Sequence, residues 1–277
     1  MCLLAALLLT CAALPGFAAE TAATEENRSM GVDVADWNGN IDWAKAAKEI
    51  DFAILCIGQK MKLETRTAAN AAGCEQNGID YGVYYVSSAA SAEDAQAEAE
   101  LVLSGLEGLQ PELPVFFDVE RSMAKKLSSE TLQAVVRTFC EAVEEAGYQP
   151  GLYTYTDLME QHFSEGYFNT LPKWVSQVDA EQCSYTGKYI MWQYSWSGRV
   201  AGIAGDVDLN YLGDFGTQTC DHPGVTYSYE ENTHIFTCTE CGQVAFTKTE
   251  GKKFAINSAA PVLADDIVMK YNVTIPA

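Results

Sequence analysis

The sequence has 277 residues and a formal net charge of -21, because 38 acidic side chains outnumber the 17 lysines and arginines. This charge argues against binding to nucleic acid or to an anionic membrane surface, since both require clustered cationic side chains. The length allows one domain the size of an α/β barrel and one smaller module. The apolar content is that of a protein that buries a sizeable core.

The chain begins with a pattern typical of export. Residues 1–19 are an apolar run that ends in small residues, which predicts a secretory signal peptide. One alternative is a single membrane-spanning helix, although Pro15 interrupts the run, and another is a lipoprotein site at Cys11. We therefore expect a secreted or cell-surface protein in which residues 20–30 form a flexible linker.

Eight short strands are predicted from runs of β-branched and aromatic residues, most of them bounded by Gly, Pro or Asp. In chain order they are GVDVAD (31–36), FAILCIG (52–58), YGVYYVS (81–87), LPVFFDVE (113–120), GLYTYT (151–156), KWVSQV (173–178), YIMWQYS (189–195) and DVDLN (206–210). Helical patterns separate the earlier strands, at 42–50, 66–77, 91–103, 129–147 and 157–163.

The connections after the sixth strand are too short to hold crossover helices. The pattern therefore predicts an α/β fold over residues 31–215, an irregular TIM-like barrel with about five βα units and three further strands.

The fourth strand ends in two carboxylates that share one face. Side chains alternate along a strand, so Asp118 and Glu120 point to the same side at the carboxyl end, where barrel active sites gather. Asp33 in the first strand and Asp208 in the last would approach them, because these two strands are neighbours in a closed barrel. Crowded carboxylates raise one another's pKa, which suits glycoside hydrolysis by one protonated and one ionised acid.

A solvated strand end or a cation site is the alternative interpretation of the Asp118–Glu120 pair taken alone. Aromatic residues in the strands favour a sugar ligand, because the C–H faces of sugar rings stack on aromatic rings. About half of the strand aromatics should be structural, since alternation sends them to the outer face. The candidate substrate-binding residues are Tyr84, Tyr85, Tyr153, Tyr155, Trp174, Trp192 and Gln193.

The motifs GVDVADWNGNIDW, PVFFDVE, MWQYS and GDVDLN, in this order, resemble glycoside hydrolase family 25, the muramidases found among autolysins and phage endolysins. The resemblance covers residues 31 to about 215. It implies a bacterial, extracellular N-acetylmuramidase that cuts the β-1,4 bond between N-acetylmuramic acid and N-acetylglucosamine. It also implies that Glu120 is the general acid and base, that Asp118 is its partner carboxylate, and that Asp33 and Asp208 flank them.

Residues 216–246 contain a second pattern, Cys220-x-His222 followed by Cys238-x-x-Cys241, which suits tetrahedral zinc in a small ribbon-like module. A disulfide between Cys238 and Cys241, or between one of these and Cys220, is the alternative that export would permit. In residues 247–277 apolar and polar side chains alternate, which predicts the first strands of a larger β-sandwich module that is truncated here.

The partner that this interpretation predicts is the peptidoglycan glycan strand, bound by a monomer that needs no cofactor for catalysis and has only a structural zinc. Two other functions remain open. One is a wall-binding protein that keeps the barrel without turnover. The other is a chitinase-like glycosidase, although the longer acid series of that class is interrupted here by Pro114 and Phe116.

Overall fold

The computed structural model describes residues 28–164 and 166–215, and beyond them the strands 225–230, 233–238, 244–249 and 255–256. The first two ranges form a barrel of mixed α/β structure. Its strands are β1 (Ser29–Val34), β2 (Phe52–Gln59), β3 (Lys62–Leu63), β4 (Asp80–Val86), β5 (Val115–Asp118), β6 (Pro150–Tyr155), β7 (Lys173–Ser176), β8 (Tyr189–Gly198) and β9 (Val207–Phe215).

Eight of these strands close into a barrel, and the short β3 only extends β2 as a hairpin. The order around the barrel is β1, β2, β4, β5, β6, β7, β8 and β9, and β1 pairs with both β2 and β9. Neighbours are parallel except for β9, which runs antiparallel to β8 and to β1. The predicted barrel is therefore confirmed, with its last strand reversed.

Six α-helices connect the strands in these two described ranges, and each of the five predicted helical patterns overlaps one. They are α1 (Trp43–Ala46), α2 (Thr67–Asn77), α3 (Ala92–Gly105), α4 (Arg121–Ala124), α5 (Ser129–Glu145) and α6 (Thr156–His162). Helix α4 was not predicted, because a single turn is too short to show a periodic apolar pattern. The hydroxyls of Ser91 and Ser128 cap α3 and α5, since each accepts a hydrogen bond from a backbone N–H of the first turn.

Two apolar clusters fill the two sides of the sheet. The larger lies between the strands and the helices, and it includes the predicted face of α5, which is Leu132, Val135, Val136, Phe139 and Val143. The smaller fills the barrel interior with Phe52, Ile54, Phe116, Tyr153, Trp174 and Met191. The interior is thus a packed core. The polar side chains of the candidate site lie at the end of the barrel that the carboxyl ends of the parallel strands form.

The first strand begins at Ser29, two residues before the predicted start. The Asp51 carboxylate accepts a hydrogen bond from the Met30 backbone N–H at 3.0 Å, and Met30 O accepts one from Asp51 N–H at 2.8 Å. These contacts tie Met30, which was predicted to be linker, to the segment that leads into β2.

A second, four-stranded antiparallel sheet has the order β10 (Val225–Glu230), β11 (Thr233–Cys238), β12 (Val244–Thr249) and β13 (Ala255–Ile256). β12 runs across the predicted module boundary at residue 246. The predicted signal peptide and the candidate ligands Cys220, His222 and Cys241 lie outside the described residues, and only the backbone of Cys238 is described. In the described part of the chain, no helix is long and apolar enough to cross a membrane.

Candidate active site

Asp33 and Asp208 face each other across the seam of the barrel, because they are directly opposed in the antiparallel register of β1 and β9. Asp33 is only 5% exposed. Its Oδ2 accepts hydrogen bonds from Asn210 Nδ2 at 2.8 Å and from Gln193 Nε2 at 3.0 Å. Asp208 lies near the beginning of β9. Because β9 runs in the reverse direction, this beginning lies at the same end of the barrel as the carboxyl ends of the other strands.

These two acids hold a proton between them. Burial raises the pKa of Asp33 to about 6, against the lowering effect of hydrogen bonds from Asn210, Gln193 and Asp208. Burial, and then the charge of Asp33, raises the pKa of Asp208 to about 8. Near neutral pH these shifts favour a pair that carries one proton between its two carboxyl groups.

Asp118 is the last residue of β5 and is also 5% exposed. Its pKa is raised well above the usual range, first by burial and then by the negative charges of Glu120 and Asp33. Its Oδ1 is buried and has no hydrogen-bond partner among the described residues. Because an unsatisfied buried acceptor is costly, this oxygen is suited to receive a donor from a ligand.

Glu120 follows in extended conformation and forms the N-cap of α4. Val119 between the two acids is fully buried in the outer cluster, which is the alternation that the sequence predicts. The Tyr155 hydroxyl donates to the half-buried Glu120 carboxylate, at 3.1 Å to Oε2 and 3.4 Å to Oε1. The Arg121 guanidinium covers the Tyr155 ring at 4.1 Å and is itself held by Asp157 through two hydrogen bonds of 2.7 and 2.8 Å.

Gln193 connects the acids to the aromatic residues. Its Oε1 accepts hydrogen bonds from three donors, and these are Tyr153 Oη at 2.8 Å, Ser176 Oγ at 2.7 Å and Trp196 Nε1 at 3.0 Å. Its Nε2 donates to Asp33 and, at 3.3 Å, to Asp208. Three donors on one oxygen fix which way the amide points, so its N–H groups must face the carboxylates.

The predicted aromatic residues divide between the two faces of the sheet. Tyr84, Tyr153 and Trp174 lie inside the barrel, where the Tyr84 ring meets Trp174 edge-on at 5.8 Å. Burial raises the pKa of the Tyr84 hydroxyl well above its usual value, and Cys56, Asp33 and Asp118 add to that effect. Trp174 is 1% exposed and donates from Nε1 to Asn210 Oδ1 at 2.8 Å, so it orients Asn210 towards Asp33.

Tyr85 and Trp192 were predicted to bind substrate, but they lie on the outer face. Tyr85 is fully buried against Phe139 of α5, and its hydroxyl accepts a hydrogen bond from Met61 N–H at 2.9 Å. Trp192 is buried in the outer cluster and donates to Gln177 O at 2.8 Å. Alternation explains both positions, because each residue neighbours one that points inward, Tyr84 or Gln193.

The structure brings three further residues to the site that the sequence interpretation did not assign. Asn210 and Ser176 each lie two positions from an inward residue, Asp208 and Trp174, so alternation alone would have placed them there. Trp196 lies three positions after Gln193, where a regular strand would send it to the opposite face. No pattern in the sequence marks that exception.

A pocket of about 230 Å³ opens beside Glu120. Its walls combine apolar side chains with two lysines, Lys60 and Lys126. The loop after β4 forms one wall and is held from behind by Glu98, whose buried carboxylate accepts hydrogen bonds from Ser87 Oγ at 2.6 Å and Ser88 N at 2.9 Å. The cleft next to Glu120 therefore has a rigid wall and room for a ligand.

Comparisons with known proteins agree with this architecture. The uncharacterized protein YegX of Escherichia coli O157:H7 is 31% identical over 189 residues, which cover 65% of this chain and 68% of YegX. The autolytic lysozyme of Clostridium acetobutylicum is 25% identical over 183 residues, 65% of this chain and 54% of that protein.

Among solved structures, the modular autolysin LytC from Streptococcus pneumoniae matches with a TM-score of 0.59 and 26% identity, over 69% of this chain and 47% of LytC. LytC has also been solved in complex with a synthetic peptidoglycan ligand. The match therefore spans about half the length of LytC and of the clostridial lysozyme.

The family model described as glycosyl hydrolases family 25 matches residues 32–203. This range is more than half of the chain, and it contains Asp33, Asp118, Glu120 and Gln193. The chain therefore belongs to glycosyl hydrolases family 25.

Proposed function

We propose that this protein is an extracellular peptidoglycan hydrolase that cleaves the β-1,4 bond between N-acetylmuramic acid and N-acetylglucosamine. The observation that carries the proposal is the proximity of Glu120, beside an open pocket, to the buried Asp118, whose Oδ1 has no hydrogen-bond partner among the described residues. Family membership supports glycoside hydrolysis, and the relatives named as autolysin and lysozyme support peptidoglycan as the substrate.

Glu120 is the group best placed to move protons. It borders an open pocket and is held by the Tyr155 hydroxyl, so its carboxyl group can reach a glycosidic oxygen. In the first step Glu120 protonates that oxygen while the bond from the anomeric carbon breaks. In the second step the ionised Glu120 removes a proton from water as the water oxygen attacks that carbon, so one water is consumed for each bond cut.

Once it is ionised, for which its raised pKa requires loss of a proton, Asp118 supports the positive charge that develops at the sugar. Two mechanisms remain open, direct attack of the carboxylate on the anomeric carbon and participation of the substrate's own acetamido group. The unpartnered Oδ1 supports the second, because it can accept a hydrogen bond from an acetamido N–H. Asp33, Asp208 and Gln193 form the floor of the site and set the charge next to Asp118.

Replacement of the acid tests the proposal. Glu120→Gln keeps the size of the side chain but cannot supply a proton, so turbidity clearing of purified peptidoglycan should fall about 10²–10⁴-fold. Mass spectrometry of the fragments from the unmodified protein should show new reducing ends on N-acetylmuramic acid.

The matched control is Glu107→Gln, an exposed glutamate in the turn after α3, which should keep full activity. Binding to the wall without release of fragments by the unmodified protein would instead establish a non-catalytic wall-binding function. Reducing ends on N-acetylglucosamine would contradict the proposed bond.

A further inference from the structure

Trp196 is exposed to solvent and yet fixed in place. Its side chain is 51% exposed, one of three large hydrophobic side chains with such exposure in the described part of the chain. Its indole N–H nevertheless donates a hydrogen bond to Gln193 Oε1 at 3.0 Å, and Gln193 is only 2% exposed. The ring therefore lies in water while its polar edge is anchored in the floor of the active site.

The local backbone of β8 is what makes this contact geometrically feasible. In a regular strand, residues three positions apart point to opposite faces. The register between β8 and β9 shifts between Gln193 and Ser195, and again between Ser195 and Gly198. Such irregularities re-aim side chains, and here they turn Trp196 to the side on which Gln193 holds the acids.

An exposed indole with a fixed orientation is well suited to bind a sugar. Its ring offers an apolar face to the C–H groups of a pyranose, and little conformational freedom is lost on binding because the hydrogen bond already restrains the ring. Trp196 also lies beyond the carboxyl end of the barrel part of β8, the end at which Asp33, Asp118 and Glu120 meet.

We propose that Trp196 is a specificity-determining residue, a rigid platform on which one sugar ring of the glycan stacks above the Asp33–Asp208 pair. This inference rests on the proposed function, since it takes a glycan as the ligand. Trp196 is neither one of the four acids nor one of the aromatic residues that the sequence predicted to bind substrate.

The proposal predicts a change in KM with little change in kcat. Without the indole, Gln193 Oε1 still accepts hydrogen bonds from Tyr153 and Ser176, so the amide keeps facing the acids. Trp196→Ala should raise KM for glycan strands about tenfold through loss of the stacking surface and leave kcat within about twofold. Trp196→Phe keeps a ring without its anchor and should raise KM about threefold.

Binding gives a readout that does not depend on turnover. In the Glu120→Gln background, the Kd for soluble glycan strands with their peptides removed can be measured by isothermal titration calorimetry. Adding Trp196→Ala should weaken Kd about tenfold. Trp37→Phe is the control, because Trp37 is the other exposed tryptophan of the described chain and makes no hydrogen bond to Gln193 there.

An unchanged Kd and KM in Trp196→Ala would overturn the inference, and so would a loss confined to kcat, which would make the indole part of the scaffold of Gln193. A melting temperature measured for each variant separates both outcomes from simple unfolding. Failure of the proposed function would look different: Glu120→Gln would then be as active as its parent, while the Kd comparison would still decide the role of Trp196.

Discussion

The proton shared by Asp33 and Asp208 gives this site a pH dependence of its own. Both carboxyl groups have a raised pKa in the folded chain, to about 6 and about 8. A raised folded pKa contributes stability that is complete below the unfolded value, near 3.8, and is lost as the pH rises through the folded value. The pair therefore favours folding at acidic pH and opposes it increasingly up to about pH 8.

Asp208→Asn should remove much of that dependence. The amide resembles the protonated acid, so it can still donate a hydrogen bond to Asp33 but cannot ionise. We expect its melting temperature, compared with that of the unmodified protein, to improve steadily from about pH 4 to pH 8. Asp206→Asn, an exposed neighbour paired with Arg199, should show no such trend. A constant difference across that range would mean that Asp208 is ionised throughout.

The hydroxyl of Tyr155 holds the carboxylate of Glu120 in place. Tyr155→Phe removes this donor but keeps the ring under Arg121, so kcat on peptidoglycan should fall about tenfold with KM nearly unchanged. Tyr167→Phe is a matched control, because Arg137 covers that ring at 4.3 Å and its hydroxyl has no partner among the described residues. An equal fall in kcat in both variants would mean that Tyr155→Phe acts by destabilising the fold and not through Glu120.

Connections between elements fix the walls of the cleft, and the clearest case is the loop between β4 and α3. Glu98 of α3 is 1% exposed and accepts hydrogen bonds from Ser87 and from both the backbone and the hydroxyl of Ser88. Glu98→Leu should reduce the free energy of unfolding by about 1–3 kcal/mol, because buried donors lose their acceptor. Chemical denaturation measures the change.

The exposed Glu100→Leu on the same helix is the comparison, and it should change the free energy of unfolding by less than about 0.5 kcal/mol. Similar values for the two variants would show that the hydrogen bonds to Ser87 and Ser88 contribute little.

The composition of the strands and the length of the connections between them made most of this architecture predictable from the sequence. Runs of β-branched and aromatic residues located all eight barrel strands, and the positions of Asp33, Asp118 and Asp208 in those strands placed them at one end of the barrel. Alternation alone could not decide which of two neighbouring residues points inward. Tyr85, beside Tyr84, and Trp192, beside Gln193, were therefore predicted to bind substrate although they lie on the outer face. That choice depends on strand register, and register is set by contacts between segments distant in sequence.

Two features have no local signal at all. The register shifts that precede and follow Ser195, next to Trp196, are seen only in the pairing of β8 with β9. The single turn of α4, which Glu120 caps, forms where the chain leaves β5 and is too short for a periodic pattern. Both lie at the site, where function tolerates departures from regular geometry.

Net charge governs how the whole molecule meets its proposed substrate. The chain carries a formal charge of -21, and peptidoglycan bears carboxylates on its peptides, so the two repel each other over long range. Raising the salt concentration from about 10 to about 150 mM should therefore increase the initial rate about two- to fivefold, because the screening length shortens.

Glycan strands with their peptides removed have fewer charges and serve as the control, on which salt should have a weaker effect. A rate that falls as salt is added would indicate that local attraction, for instance by Lys60 and Lys126 beside Glu120, outweighs the overall repulsion.

β9 is the last strand of the barrel and also carries Asp208. Pairing of β9 with β1 therefore closes the barrel and at the same time places Asp208 opposite Asp33. A nascent chain that has not yet released Phe215 from the ribosome can pair β1 with β2 but has no partner for the other edge of β1. Without β9, Asp33 lacks both its opposed neighbour Asp208 and its hydrogen-bond donor Asn210. The strand pairing that closes the barrel is therefore also the pairing that completes the group of acids around Asp33.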